Sequence, residues 1–318
     1  MALLKRRHWI AGSLAALTGC SRDPRAEPSA VSIARAAHYD GQLFDLIRRL
    51  LIEQGLDVRG KRVVLKPNLV EFDPGTTINT HPLVVHAALE AFRSLGAAEV
   101  RIAEGPGHRR NTLELAEAAG YFKTIPNFEG LFTDLNLDDI SPVRLAKPFA
   151  RLESLYLPKT ALGCDLLVSL PKMKTHHWVA ATLSMKNLFG LVPGSVYGWP
   201  KNILHWAGIH QCIADLHTLF PRAFAIVDGI TGMEGNGPIQ GTPKFAGVIV
   251  AGRDPVAVDA TCCRIMRIDP ERVHYLQLAA RRGGLSEAAA RQTGEPIASV
   301  QVPFELIPQF RTLRLGPG

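Results

Sequence analysis

The sequence predicts an α/β fold, a mainly parallel sheet with helices on both faces and a small inserted loop/β excursion. Two observations carry this. Short β-rich runs alternate with stretches of helical apolar spacing, the pattern of parallel strands joined by crossover helices. Each run then exits directly into polar and ionisable residues, as strands do at the crevice edge of an open α/β sheet. The first clear strand is Arg62–Leu65. The next segment, His81–Leu95, places Leu83, Val84, Ala87, Ala88, Ala91 and Leu95 on one helical stripe and stops at Gly96, a natural C-cap. Glu99–Ala103 is a second strand, and Thr112–Ala119 a helix closed by Gly120. Further strands are expected at Leu152–Leu157, Asp165–Leu170, Ala223–Val227 and Phe245–Ala251. Helices are expected at Ile203–Leu219, Pro255–Met266 and Pro270–Arg281, and the tail Ile297–Leu315 reads as one or two edge strands. Residues 121–160 lack a clear helix and form the excursion.

The N-terminus has a different character. Lys5-Arg6-Arg7 precedes an apolar run from Trp9 to Gly19, eleven residues against the ~20 that cross a bilayer. A basic start, a short apolar core and small residues at its end describe an export signal. Leu17-Thr18-Gly19-Cys20 resembles the lipobox of bacterial lipoproteins, which implies cleavage before Cys20 and its acylation. Arg6-Arg7 also looks like a twin-arginine signal, with Lys5 and Trp9 departing from the usual pattern. The chain therefore divides into a signal at 1–19, a polar, proline-containing tether at 20–33, and one domain at 34–318. The expected location is outside the cytoplasm, facing the periplasm or cell exterior, with the lipid as the sole membrane attachment.

Composition narrows the function. Apolar residues make up 47% and charged residues 20%, a globular balance. The formal charge of +7 includes three residues of the signal, and no Lys/Arg-rich helix or aromatic-interleaved basic stripe points to nucleic acid. Beyond Cys20 the cysteines are Cys164, Cys212, Cys262 and Cys263, without CxxC spacing, so no iron–sulfur cluster ligated by this chain is expected. Cys262 and Cys263, in an apolar stretch, read as small buried hydrophobes.

The candidate site follows from the strand exits. They lead to Lys66-Pro67-Asn68, Glu104-Gly105, Lys172-Met173-Lys174-Thr175-His176-His177, Asp228-Gly229 and Arg253-Asp254-Pro255. Lys172 and Lys174 share one side of an extended segment. Lys186 and Asn187 follow closely, and apolar neighbours suggest partial burial, where an unpaired lysine is costly. Lys66, Lys172, Lys174 and Lys186, with Asn68, Asn187 and His205, are the expected contacts to a small anionic ligand, a carboxylate or a phosphate. His176, His177, Glu104 and Asp228 are the candidate acid–base groups. Asp254 and Asp259 are candidates for a divalent metal, whose identity the spacing leaves open. Asp228–Pro238 holds four glycines in eleven residues and reads either as a loop for close backbone approach to an anion or as a flexible connection.

These motifs, with Thr80-His81-Pro82, Met185–Gly190, Asn236-Gly237-Pro238 and Ala251–Ala260, resemble the domain-of-unknown-function 362 family in order over about 60–285. The resemblance implies no assigned chemistry. Many relatives carry an appended ferredoxin segment with clustered cysteines, which this chain lacks. A fainter similarity, in Thr80-His81-Pro82 and the Lys/His content, is to the lactate-racemase-like group. Three functions stay open: an enzyme acting on a small anionic metabolite, metal-assisted or not; a non-catalytic lipoprotein binding an anion or metal complex; and an accessory factor for an exported redox enzyme.

Overall fold

The computed structural model describes residues 29–280 and 285–316. The expected signal and its Cys20 lie outside the described residues. Among the described residues twelve strands form: β1 (Ser29–Arg35), β2 (Arg62–Pro67), β3 (Glu99–Glu104), β4 (Phe132–Asp134), β5 (Ile140–Arg144), β6 (Ser154–Pro158), β7 (Leu166–Leu170), β8 (Lys172–His176), β9 (Ala180–Thr182), β10 (Phe224–Glu234), β11 (Thr242–Gly252) and β12 (Ala290–Gly294). The main sheet has the order β12-β1-β11-β10-β7-β2-β3-β4, with β8 alongside β10 and β9 alongside β8. The block β10-β7-β2-β3-β4 is parallel throughout. The helix Pro82–Ser94 links β2 to β3 over one face, and Asn202–Leu219 precedes β10 on the other. The fold is thus α/β, mostly parallel, with one apolar core on each side of the sheet.

Helix boundaries follow local chemistry. His81 accepts the Leu83 amide as the N-cap of Pro82–Ser94, with proline in the first turn, and Asn111 caps Thr112–Ala118 in the same way. Gly96 has φ +88°, the left-handed turn a chain reversal requires there.

Several expectations change. Residues 29–33, read as tether, belong to β1, which pairs antiparallel to β11 and parallel to β12. Val31 and Ile33 are buried, and the Ser32 hydroxyl is paired with Thr293 at 2.8 Å. Its serines mask a strand covered on both faces. The helix Gln42–Glu53 was not expected either, although Leu43, Ile47, Leu50 and Leu51 form its buried stripe. In the tail the edge strand is β12, upstream of the expected one. Ile297–Val300 is a single helical turn and Pro308–Leu313 a 3₁₀ segment. Pro270–Arg281 divides into a 3₁₀ turn and the helix His274–Ala279, and Arg281 lies outside the described residues.

The glycine-rich stretch after Val227 is not an open loop. β10 continues to Glu234 in an antiparallel ladder with β11. A Cβ at Gly232 would collide with the Met173 carbonyl, so this glycine admits β8 against β10, and one at Gly237, just beyond β10, would collide with the Thr175 carbonyl. The excursion of 121–160 yields two one-turn helices, β4 on the edge of the main sheet, and the separate β5–β6 pair. All four described cysteines are free. Cys212, Cys262 and Cys263 are buried and Cys164 partly so, as expected of small hydrophobes.

Candidate active site at the strand carboxyl ends

Chain direction assembles the site. From β2 the chain crosses to β3 on one side, whereas β7 lies on the other side of β2 and leads toward β10. The carboxyl ends of β2 and β7 therefore flank a topological switch point, where open α/β sheets form their crevice. Lys66 sits at the end of β2 and Glu104 at the end of β3. Their parallel register brings the ammonium Nζ 2.6 Å from Glu104 Oε2, both side chains almost fully buried. Lys66 also donates to the Pro67 carbonyl (2.9 Å) and Asn187 Oδ1 (3.2 Å), so its three protons are all used. Glu104 accepts further bonds from the amides of Leu69 and Gly105. Asn187 is held in turn by the Lys66 carbonyl and Ser169 Oγ, each 3.0 Å away. Gly190 packs against this group so closely that a Cβ would collide with both the Glu104 carboxylate and the Lys66 ammonium.

Above this floor is a cavity of about 230 Å³. Among its walls are Lys66, Asn68, Glu104, Lys174, His176, His177, Lys186, Asn187 and His205, nine of the residues singled out in the sequence. Their donor capacity is uneven. Lys174 donates to the carbonyls of Ile78 (2.7 Å) and Pro238 (3.2 Å), and burial without a carboxylate partner drives its pKa far down, which favours the neutral amine. Lys186 lies over the Phe189 ring at 4.0 Å and has no hydrogen bond or carboxylate partner among the described residues. Burial, reinforced by the Lys66 charge, brings its pKa from 10.5 to about 7. Asn68 and Thr182 are each more than nine-tenths buried and each keeps a side-chain oxygen without a partner. Unpaired buried polar atoms are scarce in folded proteins, and here two of them belong to the walls of one cavity.

The histidines are held in defined tautomers by the groups around them. His176 Nδ1 accepts the Trp178 amide at 3.0 Å, so its proton is on Nε2, and burial holds the ring neutral. His205 Nδ1 lies 3.0 Å from the Lys201 carbonyl, and His177 Nδ1 lies 2.8 Å from that of Gly237. A carbonyl only accepts, so both nitrogens donate and each neutral ring keeps an Nε2 lone pair. Burial, with the Lys186 charge nearby, takes the His205 pKa from 6.5 to about 4. In their neutral forms His176 therefore offers the cavity an N–H donor and His177 and His205 each an acceptor, beside the Lys186 side chain, and a fourth imidazole, His108, also lines it.

Four expected site residues are placed elsewhere. Lys172 and Asp228 form a second buried pair, 2.6 Å apart, beside a shallower pocket. Lys172 uses its other protons on Tyr39 Oη (3.0 Å) and the Thr231 carbonyl (3.1 Å). Asp228 accepts from Tyr39 Oη and the amides of His81 and Ile230. With every donor and acceptor engaged, this is a strap joining three segments, and neither residue lines the cavity. The parity of Lys172 and Lys174 was legible, but the bulge where β8 meets β10 sends their ammonium groups to different neighbours. Asp254 caps the helix Pro255–Ile265 through the amides of Val256 and Ala257 and accepts from Ser29 Oγ. Asp259 accepts from the Ser184 amide and hydroxyl and from the Met185 amide. Both carboxylates thus hold backbone in place of the expected cation. Among the described residues no cluster of three or more His, Cys, Asp or Glu side chains is arranged to hold a metal.

Sequence reasoning missed Lys201 and Thr182. Lys201 lines the cavity, is buried, donates to the carbonyls of Gly105 (2.6 Å) and Phe189 (2.8 Å), and has one proton left. Burial brings its pKa to about 7. It precedes a helix rather than following a strand, so the strand-exit rule passed over it. Its left-handed φ of +68° shows a backbone constrained by tertiary contacts.

The fold and the crevice define a doubly wound α/β protein with a cationic, histidine-lined pocket at its topological switch point. The chain belongs to the DUF362 family (domain of unknown function), whose model matches residues 63–264. It is 31% identical over 276 residues to the thylakoid-associated protein sll1697 of Synechocystis sp., covering 83% of this chain and 82% of that protein. Among solved structures it is similar to the lactate racemase apoprotein of Thermoanaerobacterium thermosaccharolyticum, with a TM-score of 0.48 and 15% identity. That match covers 75% of this chain and 57% of the other.

Proposed function

We propose that the protein is an enzyme that binds a small carboxylate or phosphate compound in this cavity and transfers a proton on it through the histidines. The observation that carries this reading is Lys186, an ammonium group in a confined crevice with no anionic partner among the described residues. A ligand anion supplies the missing charge, Lys201 contributes its remaining donor, the Thr182 hydroxyl donates as well, and Asn68 Oδ1 accepts from a protonated group of the ligand. The Nε2 of His177 or His205 serves as the base and the Nε2–H of His176 as the acid. Glu104 is neutralised by Lys66, so its role is to position that lysine and the Asn187 amide.

The test combines stability with isotope exchange. Carboxylate and phosphate metabolites, screened at pH 6, are expected to raise Tm. The true substrate is expected to acquire solvent deuterium in D₂O at a rate reduced at least ~100-fold by removal of the active histidine. Anion-dependent stabilisation without exchange on any compound, unchanged in His177→Ala and His205→Ala, identifies a binding protein instead. The pH dependence has a definite sign. Lys186 and Lys201 titrate near pH 7, so anion affinity is full below that and falls by about tenfold per pH unit for each proton lost above it. The ligand-free protein behaves oppositely. Its unfolded lysines keep their protons up to about 10.5, so folding stability rises with pH above 7. A melting series from pH 6 to 9, with and without phosphate, reads both trends.

We further propose that this chemistry takes place outside the cytoplasm on a protein tethered through Cys20. Among the described residues no helix is long and apolar enough to cross a membrane. β1 runs parallel to β2 and begins at the opposite end of the sheet from the cavity. Cys20→Ser is expected to move the protein from the membrane to the soluble fraction, and mass spectrometry of the wild type to find acylated Cys20. An unchanged distribution removes the anchor from this reading.

A further inference from the structure

The cavity wall mixes cationic and apolar groups, with Lys66 tied to Glu104 at its floor. Beside these polar groups the wall carries the aromatic and apolar side chains of Trp178, Phe189, Pro106, Pro200, Pro238 and Ile239. Rings form one continuous series from cation to solvent. The Lys186 ammonium rests on Phe189, Phe189 lies 5.7 Å from His205, and His205 meets Trp178 edge-on at 4.7 Å. Trp178 also packs at 4.8 Å on His177 and remains 50% exposed, so its ring is accessible at the edge of the cavity.

Resting on the anion-site reading, we propose that the ligand is an anion bearing a flat aromatic or conjugated ring, its charge on the lysines and its ring against Trp178. A bare phosphate or acetate leaves the apolar side chains unused. An aromatic cage for a cation is disfavoured electrostatically by Lys186 and Lys201, which line the same space without a carboxylate partner among the described residues. A volume of about 230 Å³ falls below the ~300–1,000 Å³ of drug-sized sites and sets the scale at a single ring with its charged group. Ring-on-ring packing with Trp178 and the neighbouring imidazoles supplies the selectivity.

Titration calorimetry of the whole protein at pH 6 compares benzoate with acetate and phenyl phosphate with inorganic phosphate. In the wild type each aryl anion is expected to bind about five- to tenfold more tightly than its ring-free counterpart. Trp178→Ala removes that preference and leaves acetate and inorganic phosphate affinities unchanged, whereas Trp178→Tyr retains it. The half-exposed position of Trp178 makes these variants foldable, which the melting curve checks. Equal affinities for aryl and ring-free anions, with both lost in Lys186→Met, overturn the aromatic ligand while sparing the anion site. Binding of none of the four anions overturns the anion site itself and this inference with it.

Discussion

Replacing Glu104 with alanine is expected to destabilise the protein by ~3–5 kcal/mol, the usual cost of removing one partner from a buried ion pair. The Lys66 ammonium is fully buried, and Glu104 is its sole carboxylate partner among the described residues. The change also strips an acceptor from the amides of Leu69 and Gly105, which shape the β2 and β3 exits. At ~2–4 °C per kcal/mol for a domain approaching this size, Tm falls by roughly 6 °C or more. The double variant Lys66→Met/Glu104→Leu is expected to regain much of the loss, because two apolar side chains leave no unpaired charge. A single-variant cost under ~1 kcal/mol, or a double variant no better than Glu104→Ala, contradicts the pairing as described.

Lys186→Met is expected to act in opposite directions on stability and binding. Methionine keeps contact with the Phe189 ring and removes a charge whose burial is uncompensated, so the ligand-free protein melts higher at pH 6. Stabilisation by phosphate or carboxylate should fall by at least ~tenfold in apparent affinity, the scale of a lost charge-assisted hydrogen bond. Lys172→Met is the informative contrast. It breaks the pair with Asp228, so it should lower Tm by several degrees while leaving the anion response intact. An anion response lost in Lys172→Met but retained in Lys186→Met would reverse this assignment of the two lysines. The divergence expresses a general trade-off, in which a binding site holds groups that the folded state alone would not favour.

Much of the architecture was legible in the residues. The stripe from Leu83 to Leu95, the Gly96 stop, and the runs around Val64, Ile102 and Val168 each encode one element through periodicity and punctuation. β1 was not, because Ser29 and Ser32 look like linker until Thr293 and Gln54 arrive from elsewhere in the chain to bond Ser32. The same limit governs the glycines of 229–237. Their composition is equally that of a loop and of a strand passing close beside another backbone, and only the neighbour, β8, distinguishes the two.

The candidate site divides along the same line. The sequence determined the inventory: lysines, histidines and asparagines at strand exits, and therefore a crevice at one end of a parallel sheet, since strand polarity alone directs those exits to a common edge. Tertiary structure decided which charges are already spent. Lys66, Lys172 and Lys186 are alike as letters, yet Glu104 and Asp228 occupy the first two and leave the third unpaired. It also brought in Lys201, and withdrew Asp254 and Asp259 to backbone capping. The physical reason is that a side chain's function depends on its residual hydrogen-bonding capacity and its solvation. Both are fixed by neighbours distant in sequence, which local patterning does not specify.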